Sequence, residues 1–242
     1  MKSTERHHLK DNELAHLAVG AAGLVQERRG PILGAVIAVV VVLAAVGGYF
    51  GWRGRIETRA HTQLAAALAV EDARVGPPAA FGAAPTGLSF VSERERNQAA
   101  LTKFKEVADT YPKSDAGLYA RYRQAATYMA LGTPKSAAET YQQVISAGGD
   151  SLYVQVAKLG LAEAQAQTGE YDAAINTFRE LSQHKDGQLP VDGLLMRLGR
   201  TEAEAGKTAD AEQTFNKLVA EYPDSSFAAD ARKELDQLKK AS

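Results

Sequence analysis

The sequence predicts an all-α protein: one N-terminal transmembrane helix, then an α-solenoid of antiparallel helix pairs with a C-terminal capping helix. Two observations carry this. From Gly30 to Trp52 no residue is charged. Behind that run, small, aromatic and aliphatic residues return in aligned columns at a fixed step of 37 residues. A third observation narrows the chemistry. The 242 residues include no cysteine, which excludes disulfides, thiolate metal sites and a cysteine nucleophile.

In chain order, residues 1–29 form a polar tail, with Leu14, Leu17, Ala18, Ala21 and Leu24 at helical spacing. His7, His8 and His16 lie in it, but no Cys or carboxylate pattern converts them into a metal site, and a solvated tail is expected. Residues 30–52 read as the span. At about 1.5 Å per residue they cover roughly 34 Å, enough for a hydrocarbon core of about 30 Å. Val and Ile are poor helix formers in water, but in lipid the backbone has no other partner. Arg28 and Arg29 bound one end, and Tyr49, Trp52, Arg53 and Arg55 the other. The run is longer than a signal peptide's apolar region, so an uncleaved anchor is expected. The flanking charges leave orientation open, since Arg53, Arg55 and Arg59 follow the span while Lys2, Arg6, Lys10, Arg28 and Arg29 precede it. Gly30/Gly34 and Gly47/Gly51 have helix-contact spacing, which is common in spans and decides nothing alone.

Residues 53–71 continue as a helix and serve as a degenerate first-repeat helix. Residues 72–92 form a Pro/Gly-rich loop, because VGPPAAFGAAPTG cannot be helical. Residues 93–242 hold the repeats. Ala100, Ala137, Ala174 and Ala211 are one column; Phe104, Tyr141, Phe178 and Phe215 another; Val107, Val144, Leu181 and Leu218 a third; Gly132, Gly169 and Gly206 a fourth. Tyr111-Pro112-x-Ser114 returns as Tyr222-Pro223-x-Ser225. Each unit reads as a hairpin. Its first helix stops at a Gly, where a left-handed turn is allowed. Its second presents Ala, an aromatic and an aliphatic at i, i+4 and i+7. One hairpin cannot bury its own apolar face, so neighbours must stack. Residues Ser226 to Lys240 read as a capping helix, apolar at Phe227, Ala231, Leu235 and Leu238 and charged opposite.

The charges exclude other classes. Lys plus Arg (28) and Asp plus Glu (29) nearly balance, so there is no basic field for nucleic acid. Gly206-Lys207-Thr208 ends like a phosphate loop, but Thr201 stands where its first glycine belongs. His61 and His184 are isolated from each other. The acid pairs Glu202/Glu204 and Glu163/Glu170 read as solvated carboxylates on helix surfaces. With no nucleophile, base and orienter together, neither an enzyme nor a cofactor is expected, and no metal site.

The pattern of a small residue, Leu or Ala before Gly, then Ala, Tyr or Phe, and finally Pro resembles the tetratricopeptide repeat (TPR). It stands clearest in Leu195, Leu198, Gly199, Ala205-Gly206, Ala211, Phe215, Leu218 and Pro223. The family repeat is 34 residues. Here three more lengthen the loops, as at Ala147 to Asp150 and His184 to Leu189. The resemblance implies a groove lined by first helices. On it would stand Tyr119, Tyr122, Met129, Leu159, Glu163, Gln167, Met196, Arg200 and Glu204, against which inter-helix packing is the rival role for Tyr119, Tyr122 and Met196. The mix suits an apolar partner segment and lacks the Lys/Asn cluster that clamps acidic tails.

The order of parts is similar to the bacterial ancillary SecYEG translocon subunit family. That resemblance implies a cytoplasmic tail, an inner-membrane anchor and a periplasmic TPR domain that meets the translocon or periplasmic chaperones, with membrane lipid around the span. The YPxS…AR pattern also resembles TPR domains of outer-membrane assembly lipoproteins and of the Tol-Pal-associated cell-division coordinator. Those carry a lipobox Cys or a cleaved signal, which this sequence lacks. A self-assembling homo-oligomer, or an envelope-biogenesis or cell-division protein, stands as the alternative.

Overall fold

The computed structural model describes residues 29–76, 87–149, 151–183 and 189–241. The tail with His7, His8 and His16, its expected short helix, His184, and the middle of the Pro/Gly-rich loop lie outside these residues.

Among the described residues there are nine helices: α1 (Arg29–Glu71), α2 (Glu93–Thr110), α3 (Asp115–Ala130), α4 (Pro134–Ala147), α5 (Leu152–Gln167), α6 (Tyr171–Gln183), α7 (Val191–Glu204), α8 (Thr208–Glu221) and α9 (Ala228–Ala241). The Pro/Gly-rich segment adds a feature that composition did not suggest. β1 (Arg74–Val75) and β2 (Ser89–Phe90) pair in parallel, with Arg74 opposite Ser89 and Val75 opposite Phe90.

The chain divides into two units, Met1–Arg55 and Ile56–Ser242. In the first, the described side chains of α1 are exposed, Leu33 by 61% and Leu43 by 65%. This helix is long and apolar enough to cross a membrane. In water such a surface would be strongly unfavourable, at about 25 cal/mol for each Å².

In the second unit, local sequence sets each boundary. Ser92 caps α2 by accepting from the Glu95 N–H, and Glu95 accepts in turn from the Val91 N–H, both at 3.2 Å. Ser114 caps α3 by accepting from the Gly117 N–H at 2.9 Å. Pro134 opens α4, where its missing donor costs nothing. The first helices α3, α5 and α7 end in one repeated turn. Gly132, Gly169 and Gly206 take φ of 73°, 82° and 74°. The following N–H reaches back five residues: Thr133 to Tyr128, Glu170 to Gln165 and Lys207 to Glu202, at 2.9, 2.8 and 2.8 Å. This is the Schellman closure, and a side chain at the glycine would be strained.

The core is a row of clusters, each shared between one hairpin and its neighbour. Ala60, Leu64 and Ala67 of α1 pack with Ala100, Phe104 and Val107 of α2 and with Ala116 and Ala120 of α3. Tyr141, Phe178 and Phe215 anchor the later clusters. Each ring needs a small residue facing it. A Cβ on Gly160 would stand 2.3 Å from the Tyr141 ring, and one on Gly199 2.5 Å from the Phe215 ring. Neither ring has room to retreat. Gly199→Ala is therefore expected to cost roughly 1–3 kcal/mol, as overpacking does, read as a lower urea midpoint of the full chain in detergent. Gly206→Ala should cost about 1 kcal/mol through backbone strain alone.

Candidate protein-binding face

The first helices α3, α5 and α7 bring the expected groove residues onto one face, though not equally. Tyr119, Tyr122, Met129, Leu159 and Glu163 are half-buried, while Gln167, Arg200 and Glu204 are exposed. Met196 is 2% exposed and packs in the cluster formed by α7, α8 and α9. It serves the core and does not line a groove. The column Tyr122, Leu159, Met196 explains this. Each residue faces the next first helix, and at Met196 that helix is α9, whose Ala228, Ala231 and Leu235 close over it.

At the α3/α5 end the face is aromatic. Tyr119 stacks on Tyr122 with centroids 6.1 Å apart, and Tyr119 meets Tyr153 of α5 at 5.3 Å. Tyr122 also meets the buried Tyr141 at 6.0 Å. Burial pushes the phenols of Tyr122 and Tyr141 above their ordinary pKa, so both stay neutral donors. Sequence reasoning missed Tyr153. Its column neighbours are Ala116 and Pro190, so no aromatic column marks it, and it meets Tyr119 three residues out of register with the repeat. Beside the tyrosines, Arg123 pairs with Glu71 of α1. Burial pulls the Arg123 guanidinium pKa down, but the Glu71 hydrogen bond and charge more than offset this and raise it.

Toward α7 and α9 the face carries ion pairs between helices. Arg197 Nε donates to Glu163 Oε1 at 2.6 Å, and Arg200 Nε to Glu234 Oε1 at 3.0 Å. These pairs join successive first helices. They are half-exposed, so each adds little stability. Their effect is to fix the long side chains in place on the face.

One expectation fails on the opposite side. Glu202 is not a solvated carboxylate: it is 1% exposed. It follows Tyr128 and Gln165 in the column that precedes each turn glycine, and α8 covers it. Its Oε1 accepts from Arg179 of α6 at 2.9 Å and its Oε2 from Thr214 of α8 at 2.7 Å. A cleft of about 240 Å³ lies over it between α6 and α8. Among the described residues, no group of three or more His, Asp or Glu is placed to hold a metal. His61 is exposed and lies 3.3 Å from Glu57.

A row of helix hairpins with one repeated turn, one ring per hairpin and contacts only between neighbours defines an α-solenoid interaction domain. The chain belongs to the tetratricopeptide repeat-like domain family, whose profile matches residues 32–189; a second tetratricopeptide repeat profile matches residues 159–226. The first match begins inside the apolar part of α1. Among solved structures, that of a Podosopora anserina putative kinesin light chain with nearly identical TPR-like repeats superposes with a TM-score of 0.58 at 15% identity, over 76% of this chain and 87% of that one. A point variant of the same protein gives the same figures. A tetratricopeptide repeat protein from Parabacteroides merdae gives 0.50 at 16% identity, over 62% of this chain and 56% of that one. At such identities the likeness is one of fold. No match is found among curated proteins.

Proposed function

We propose that this chain is a single-pass membrane protein whose repeat domain captures other proteins on the first-helix face. In this reading the span lies in a bacterial inner membrane, the repeats stand in the periplasm, and the partners belong to the secretion channel or its periplasmic chaperones. The observation that supports it is the family match beginning at residue 32, which takes the apolar helix and the repeats as one piece. A repeat domain of this family is generally an interaction scaffold. The face here offers three half-buried tyrosines at one end and fixed charges of both signs at the other. It suits a segment with an apolar or aromatic anchor followed by polar groups.

The test is site-specific photocrosslinking at Gln167, an exposed residue of the face, in native membranes, with the adducts identified by mass spectrometry. Adducts to translocon subunits or chaperones are expected, and Tyr119→Ala with Tyr122→Ala should lose them. Recovery of only this chain and lipid would overturn the partner class. A reporter fused after Ala241 should be active only in the periplasm. Activity in the cytoplasm would overturn the orientation.

A further inference from the structure

The arginines of the repeat domain are largely spoken for. Arg121 pairs with Asp109, Arg123 with Glu71, Arg179 with Glu202, Arg197 with Glu163 and Arg200 with Glu234. What sets Arg53 and Arg55 apart is their place in the chain. They are the first charges after the apolar run, both are exposed, and neither has a carboxylate partner among the described residues. With α1 across a membrane, guanidiniums directly after the apolar run stand at headgroup depth, where lipid phosphate is the counter-charge at hand. Glu57, the nearest following carboxylate in the chain, is engaged with His61 and the Ala116 N–H, and aromatic rings stand just before the two arginines. Tyr49 meets Phe50 edge-on at 5.8 Å and Trp52 at 6.4 Å. Such rings seat at the headgroup level, where their apolar bodies stay in hydrocarbon and their polar tips reach water.

We propose that Arg53 and Arg55, with Tyr49 and Trp52 beneath them, form a docking site for the phosphate of an anionic lipid headgroup. Guanidinium suits this because its planar fork binds two phosphate oxygens at once. The aromatic collar fixes the depth, and the arginines select the charge of the lipid. The site rests on the reading that α1 spans a membrane.

Trp52 is the single tryptophan of the chain, so it reports on the site directly. The full chain is placed in vesicles that carry brominated acyl chains on either phosphatidylglycerol or phosphatidylcholine, and Trp52 fluorescence is followed. Brominated phosphatidylglycerol should quench better at equal mole fraction. The preference should be roughly fivefold per arginine at low salt and fall as salt rises. Arg53→Gln with Arg55→Gln should bring it to about one, while Arg94→Gln, an exposed arginine of the repeat domain, should leave it unchanged. Equal quenching by both lipids in the unaltered chain would overturn the lipid preference and leave the span intact. No quenching by either would overturn the span itself.

Discussion

Phe178→Ala is expected to cost about 3–5 kcal/mol and to split the unfolding transition in two. The ring is 1% exposed and sits among Ala162 of α5, Ala174, Ile175 and Leu181 of its own helix, and Leu194 and Leu198 of α7. Removing it forfeits the transfer free energy of the ring and leaves a cavity that close-packed neighbours refill only in part. Position makes this deletion more damaging than an equal one at an end. In a row of nearest-neighbour contacts, cooperativity passes through each interface. Phe178 stands in the interface that links the hairpin α3–α4 and helix α5 to the hairpin α7–α8. Weakening it should let one side melt before the other. Leu235→Ala, 7% exposed in α9, should instead fray the last helix and leave the rest intact. Urea unfolding of the full chain in detergent, followed by circular dichroism and amide exchange, separates the two. A single unshifted transition in Phe178→Ala would show that the row is not held together there.

Much of this arrangement was legible because its constraints are strict. A turn closed by a left-handed residue admits Gly at little cost, so Gly132, Gly169 and Gly206 mark the hairpins. A ring fully enclosed between helices needs small partners, so Ala137, Ala174 and Ala211 keep step with Tyr141, Phe178 and Phe215. Surface placement was less legible. Met196 reads as a groove residue by column, yet its exposure depends on whether another first helix follows it, and α9 does. Glu202 reads as solvated because an isolated carboxylate usually is. Its cation lies 23 residues back on the preceding hairpin, and only stacking in register brings the two together. The candidate face was therefore legible as a list of positions. The division into a tyrosine end and an ion-paired end depended on Tyr153, Glu71 and Glu234, which lie on other helices.

The Glu202 pair yields the second large effect, and its sign pattern is the informative part. Arg179→Ala should cost about 2 kcal/mol, because it leaves a buried carboxylate with Thr214 as its remaining partner. The full penalty for stripping a buried ion is larger, about 3–5 kcal/mol. Arg179 is itself 47% exposed, so water entering from its side moderates the loss. Glu202→Gln should cost less, about 1 kcal/mol, since the amide oxygen still accepts from Thr214 and no uncompensated charge remains. The decisive variant is the double one. With Gln at position 202 there is no charge for Arg179 to answer, so Arg179→Ala on that background should cost only a few tenths of a kcal/mol. A coupling of more than about 1 kcal/mol in this cycle, read from urea midpoints, would establish that the pair, and not either side chain alone, joins α6 to α7. Strict additivity would mean that the carboxylate is hydrated in solution, and that the cleft between α6 and α8 opens wide enough to admit water to its floor.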